Sequence, residues 1–217
     1  MSLTNVEFTP KELNSIVLKN LLLMFERRNY ISDHEKTLSS ITNPVITNTV
    51  LKIKADTKND SDTKSKESTY QIYISASKIN SISQGSQIDD FLTNEINDKK
   101  FLIVSEASKK VFKQSREQYP NTEVFSEDEL LEDIPSKDIV PNHQLLNQDE
   151  KEELLKYFQA KSFKKIYEYD IMSRYYGAVP GDIFRIERFN TTSGKGIDYR
   201  TVIPGKYDIM FWFKSFF

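Results

Sequence analysis

No cysteine occurs among the 217 residues, which excludes a disulfide framework and a thiolate zinc site together. Histidine is nearly as scarce. His34 and His143 are far apart in sequence, and neither has a second ligand at metal-motif spacing. Nowhere does the chain run to the roughly 20 apolar residues that a membrane span needs. The opening MSLTNVEFTPKE also lacks the basic start and apolar core of a secretory signal. The expectation is a chain that is neither secreted nor membrane-spanning, suited to a reducing compartment. An excess of positive charge is missing too: 30 Lys and Arg against 32 Asp and Glu give a net charge of -2. A protein whose main task is to coat nucleic acid needs many cations against phosphates, so any basic surface here is local.

What is present suits a folded protein. With 38% apolar and 29% charged residues, the chain can bury one sizeable core or two small ones. Thr9, Pro10 and Glu12 form a capping-box pattern, and Leu13, Val17, Leu21, Met24 and Phe25 follow at helical spacing. This predicts a long helix over residues 10–28. Ser32 and Glu35 repeat the capping pattern and predict a second, short helix ending before Pro44. TVLKIKA (49–55), YQIYIS (70–75) and FLIVS (101–105) read as strands. QIDDFLTNEI (87–96) puts Ile88, Phe91, Leu92 and Ile96 on one helical face. Residues 56–68, DTKNDSDTKSKES, contain no apolar residue and read as a flexible loop between paired strands. A helix through Val111 and Phe112, a strand around Val124 and Phe125, and a self-capped SEDELL complete the pattern. Strand, helix and strand in this order predict a crossover between parallel neighbours, and residues 1–135 read as one α/β domain.

After Pro135 the character changes. SKDIVPNH reads as extended, and Asn147 to Glu150 starts a helix whose Leu154, Leu155 and Phe158 form the expected buried stripe. DIFRIER and IDYRTVI read as two strands joined by a loop carrying Ser193, Gly194 and Gly196. Residues 136–217 are therefore expected to form a smaller α+β domain, ending in an apolar tail over 204–217.

Most of the chain's six glycines fall in the run SRYYGAVPGDIFRIERFNTTSGKGIDYR, Ser173 to Arg200. Arg174, Arg185, Arg188 and Arg200 with these glycines raise the idea of a phosphate site. Such a site needs its glycines between a strand and a helix N-terminus, whereas these lie between two predicted strands without P-loop or dinucleotide spacing. Ser193 is no nucleophile elbow, since GxSxG is missing. The crowded Asp149, Glu150, Glu152 and Glu153 suit the positive end of a helix dipole better than a metal. His143, following Val-Pro, is expected to hold a turn by hydrogen bonding. The N-terminal α/β pattern also suits a nuclease-like fold, in which an acid and an acid-x-Lys pair on adjacent strands hold magnesium. YQIYIS supplies neither acid nor lysine. No cofactor, metal site or catalytic residue is expected.

One stretch carries a family resemblance. VPNHQLLNQDE, residues 140–150, resembles the signature of the fifth subunit shared by the nuclear DNA-dependent RNA polymerases, which has a shorter archaeal counterpart, through Val140, Pro141, His143, Leu146 and Asp149. The family's D-P-x-x-R-Y-aromatic-G run is similar to Asp170, Arg174, Tyr175, Tyr176 and Gly177, with Ile171 in place of proline. Gly181 and Asp182 follow, and the Tyr-Arg ending is matched by Arg188, Thr192 or Ser193, Tyr199 and Arg200. Lys137 stands where histidine is common and Asn190 where serine is usual. Arg28-Asn29-Tyr30 and FLIVS look like parts of the eukaryotic protein's jaw domain, which the archaeal counterpart lacks.

The resemblance implies a nuclease-like α/β jaw domain and a C-terminal assembly domain in a non-catalytic subunit. It also implies docking on the largest polymerase subunit within a heteromeric complex, with downstream DNA approached through the assembled enzyme and no membrane involved. Partner contacts are expected from His143, Asp170, Arg174, Tyr175, Tyr176, Gly177, Gly181, Arg188, Tyr199 and Arg200, and from Phe211, Trp212 and Phe213 of the tail. The location would be the nucleus for a cellular protein, or the host cytoplasm (a viral factory) or the virion for a viral one. A stand-alone nucleic-acid-binding adaptor and an inactive nuclease relative are the alternatives.

Overall fold

The computed structural model describes residues 9–41, 48, 50–55, 69–95, 97–190 and 194–205. The expected loop at 56–68, Ser193 and the tail residues Phe211, Trp212 and Phe213 lie outside them. The chain divides into two compact units, Met1–Glu132 and Asp133–Phe217.

The first unit begins with α1, Pro10–Arg27, started by the Thr9–Glu12 capping box. Its apolar stripe buries Val17, Leu18, Leu21, Leu22, Met24 and Phe25. A short α2, His34–Ser40, follows. Its cap is Asp33, which accepts from the Glu35 and Lys36 backbone N–H groups, and not the expected Ser32. The strands β1 (Val50–Lys54), β2 (Thr69–Ile79), β3 (Lys99–Ala107) and β4 (Thr122–Ser126) form one sheet in that order. β1 pairs with β2 antiparallel, whereas β2, β3 and β4 are parallel. The crossovers are α3, Gln87–Thr93, and α4, Lys109–Gln118. α3 stops at Thr93, three residues short of the expected end, because Asn94 turns extended. A short α5, Glu127–Leu130, closes the unit.

Burial on both faces explains the continuous apolar runs of β2 and β3. Phe25 of α1 packs on Tyr70 and Phe101, while Phe91 of α3 packs on Tyr73, whose side chain points the other way. The sheet is thus covered by α1 on one side and α3 on the other. On the α1 side Arg28 forms a two-armed ion pair with Glu123 at 2.9 and 2.8 Å, and Lys99 joins the same carboxylate at 2.9 Å. Burial alone would raise the Glu123 pKa. The charges and hydrogen bonds of Arg28, then of Lys99, outweigh it and hold the value at about 2.

The second unit opens with a 3-10 turn at Ile134–Ser136. The segment expected to be extended from 136 becomes a strand only at β5, Asn142–Leu145. Then come α6 (Gln148–Tyr157), β6 (Lys164–Tyr167), α7 (Ile171–Tyr176), β7 (Ile183–Asn190) and β8 (Gly194–Ile203). The sheet order is β5-β7-β8-β6; β7 and β8 are antiparallel, and β6 lies parallel to β8. Gly194 and Gly196 belong to β8 rather than to the connecting loop, with Gly196 opposite Arg188.

Candidate assembly surface

The motif Asp170 to Gly177 is a helix with a built-in start and stop. The Asp170 carboxylate accepts from the Met172 N–H at 2.9 Å. Ile171 takes the first helical position, where proline's missing N–H would cost nothing and any residue is tolerated. At the other end Gly177 turns left-handed (φ 65°). Its N–H donates to the Arg174 carbonyl, and the Ala178 N–H donates to that of Ser173 at 2.8 Å. These two bonds satisfy carbonyls that six residues of helix could not.

Between the caps, α7 presents Met172, Ser173 and Tyr175 inward. Met172 joins Ile166, Ala178, Phe184, Ile186 and Val202 in a small core, with Tyr176 at its margin. Tyr175 is 2% exposed, and its hydroxyl donates to Asp133 at 2.9 Å. This corrects its expected place at a partner contact: the ring is interior because the short helix needs an anchor. Gly177 and Gly181 serve turns, and the Gly181 N–H donates to the Val202 carbonyl at 2.9 Å. Arg174 and Tyr176 are half-buried, and Asp170 is exposed.

Strand pairing gives the second sheet two different faces. His143, Leu145, Phe184, Ile186, Arg188, Asp198, Arg200 and Val202 share the α7 side. His143 lies opposite Ile186, edge-on to Phe184, and its Nδ1 donates to the Pro141 carbonyl at 2.6 Å. Burial lowers its pKa, Arg200 and Arg188 add to the shift, and the Pro141 carbonyl and Asp170 oppose it. Three of the other expected contact residues, Asp170, Arg188 and Arg200, are therefore each within electrostatic reach of His143.

The opposite face is aromatic. Phe158, Phe163 and Tyr199 form a chain of ring contacts at 6.2 and 5.6 Å. Ile197, 52% exposed, and Phe189, 79% exposed, continue along the same side. Leu154, Leu155 and Phe158 were expected to be a buried stripe, but no residue of α6 is buried, and Phe158 is 54% exposed. The helical period is present, but the described residues of this chain leave it exposed. Among the described residues, every exposed large apolar side chain except Val50 belongs to the second unit. On the aromatic face Arg185, Glu187 and Lys195 lie opposite Tyr199, Ile197 and Phe189, and large apolar side chains exposed among polar neighbours in this way suit a binding surface. Where β8 ends, a Cβ on Gly205 would come within 2.2 Å of Tyr169, which stacks on Tyr167.

The first unit holds a pair of residues that the sequence reading missed. Asp98 and Lys100, an acid-x-Lys pair, lie at the start of β3, with Lys100 opposite Gln71 of β2. Gln71 donates to Asp98 at 2.8 Å and also to Glu95. The buried Lys100 ammonium donates to the Leu92 carbonyl at 2.7 Å and to that of Asn94. An amide stands where a second acid would be needed. Among the described residues no group of three or more His, Asp or Glu could hold a metal ion.

Likeness to known proteins falls most densely on the second unit. Residues 132–202 match the family described as RNA polymerase Rpb5, C-terminal domain. Over 197 residues the chain is 31% identical to DNA-directed RNA polymerase subunit 5 of Acanthamoeba polyphaga mimivirus, covering 87% of this chain and 91% of that protein. It is 37% identical over 91 residues to DNA-directed RNA polymerases I, II, and III subunit rpabc1 of Dictyostelium discoideum, covering 41% of this chain and 46% of that one. It is 40% identical over 67 residues to DNA-directed RNA polymerase subunit Rpo5 of Methanocaldococcus jannaschii, covering 30% of this chain and 86% of that one.

Proposed function

Because the chain belongs to the family of the fifth subunit of DNA-directed RNA polymerases, we propose that its second unit docks it on the largest polymerase subunit while its first unit lies in the jaw near downstream DNA. It is a subunit of a multisubunit RNA polymerase and works within a heteromeric complex. The observation that carries the docking reading is the aromatic strip Phe158–Phe163–Tyr199 with Ile197 and Phe189, of which Phe158, Ile197 and Phe189 are exposed among the described residues, within the stretch 132–202 that matches the family. Aromatic residues are the usual anchors at interface centres, and covering such a face with a partner removes its apolar area from water.

The role is architectural: the subunit has no reaction of its own, and the polymerase's chemistry belongs to other chains. The nuclease-like description of the first unit is supported by its parallel β2–β3 pair, which sets Gln71 opposite Lys100 of the Asp98-x-Lys100 pair. The mimivirus relative favours the viral alternative, with the enzyme at work in a cytoplasmic factory; a cellular form would be nuclear.

Affinity purification of the full chain from cells making the polymerase tests the assembly reading. The wild-type chain is expected to bring down the largest subunit, and the doubly substituted Phe158→Ser, Phe189→Ser chain to recover far less of it. Equal recovery would rule out the aromatic face as the docking surface. For the jaw, photo-cross-linkers on β1 are expected to label DNA downstream of the transcribing polymerase, and label confined to upstream DNA would refute that position.

A further inference from the structure

The α7 side of the second sheet does not end where its core ends. Past Phe184 and Ile186, the same face continues through Arg188 on β7 and through Gly196, Asp198 and Arg200 on β8, with Lys164 beside Arg200 on β6. The charges on this shelf do not balance. Lys164 donates to Asp198 at 3.1 Å. Arg200 is left with the same carboxylate at 3.8 Å, and its Nε is buried without a hydrogen-bond partner. Arg188 is exposed and has no ion-pair partner among the described residues. Its neighbour across the strands is Gly196, which has no side chain to lie against it, and among the described residues nothing comes within 4 Å of a Cβ placed on Gly194, two residues back along β8. Arg188 and Arg200 thus stand on one face of the sheet, with Gly196 beside Arg188 and Asp198 between Gly196 and Arg200. None of this contributes to the core.

From this geometry we infer that the shelf receives the carboxylates of an acidic segment from another polymerase subunit, with Arg188 and Arg200 as donors. The inference rests on the assembly reading and adds a second, polar contact to the aromatic one on the opposite face. Guanidinium donors suit carboxylates because the planar fork matches two oxygens at once. An acidic peptide fits better than nucleic acid. Asp198 sits among the cations and Asp170 lies within electrostatic reach of His143. Those carboxylates would repel a continuous phosphate backbone, whereas a peptide can place one or two acids and pass polar groups by them.

Arg188→Lys keeps the charge and adds an amine that carbodiimide joins to an adjacent carboxylate, a coupling arginine does not undergo. In polymerase assembled with this full-length variant, mass spectrometry is expected to find residue 188 linked to an Asp or Glu of another subunit. No adduct at 188, or adducts only to this chain's own acids, would overturn the inference. In parallel, Arg188→Glu changes an exposed side chain and is expected to melt like the wild type. Its retention in the polymerase on a salt wash should fall by about tenfold, the scale of one lost charge-assisted contact. Unchanged retention overturns the proposal, as does normal assembly with weakened DNA binding, which would assign the shelf to nucleic acid. A wild-type chain that never enters the polymerase would defeat the assembly reading and this inference with it. Equal entry of wild type and Arg188→Glu would defeat this inference alone.

Discussion

The two sheets solve the same problem differently. In the first, β2 and β3 are roofed on both sides, by α1 through Phe25 and by α3 through Phe91. In the second, α7 covers one face, while the other carries Phe158, Tyr199, Ile197 and Phe189 with little over them. Both are four-stranded, so strand number is not the difference. What differs is whether the covering layer is supplied by the described residues of the same chain. Where it is, apolar periodicity translates into stability; where it is not, the same periodicity translates into affinity for another chain.

The sharpest way to break this comparison is at Phe25, which is fully buried and touches Tyr30, Tyr70 and Phe101. Phe25→Ala should cost about 3 to 5 kcal/mol of stability by urea unfolding, the usual range for a large core ring. A loss under about 1 kcal/mol would mean that the first unit is not the self-sufficient one.

Acid should act next most strongly, and also on the first unit. The Glu123 pKa is held at about 2, against an ordinary value of 4.5. A carboxylate whose folded pKa is depressed contributes stability that is fully present above its unfolded value and is lost as pH falls through the folded one. Stability on the order of 2 to 3 kcal/mol should therefore disappear between about pH 4.5 and pH 2. Glu123→Gln should remove this part of the acid limb and lower stability at neutral pH, because Arg28 loses its buried partner. An acid limb of the same depth in the variant would locate the sensitivity elsewhere.

A smaller effect belongs to the second unit. Gly177→Ala forces a side chain into the left-handed stop of α7 and should cost about 1 kcal/mol, read as a lowered melting midpoint. Smallest of all, Phe189→Ser should change the stability of the free chain by no more than about 0.5 kcal/mol, in direct contrast to Phe25→Ala. A large loss there would mean that Phe189 is covered within the chain after all.

These contrasts also explain what could be read in advance. Thr9 and Glu12 announced α1 because a capping box is local chemistry, YQIYIS and FLIVS announced β2 and β3 as strands by their local patterns, and the order strand, helix, strand announced their parallel pairing. β6 and α7 escaped, since four and six residues hold too little of a strand or helix period to be recognised. Asp170 and Gly177 stood out as motif letters, and only the folded chain reveals them as the two caps of one helix. The stripe on α6 was legible as a stripe. No single sequence states which molecule covers it. Asp98 and Lys100 lie just before and within β3, and only the pairing of β3 with β2 sets Lys100 opposite Gln71.

The shortness of β5 and β6 has a consequence for the subunit before it finds its place. Both edges of the second sheet are only four residues long, and β6 opens with Lys164 and Lys165. A newly made copy carries an uncovered aromatic face, the kind of surface that would otherwise favour stacking of one copy on another. Brief, lysine-bearing borders give a neighbouring copy little backbone to continue the sheet. The orphan chain can therefore keep its adhesive face while remaining a poor seed for fibrils.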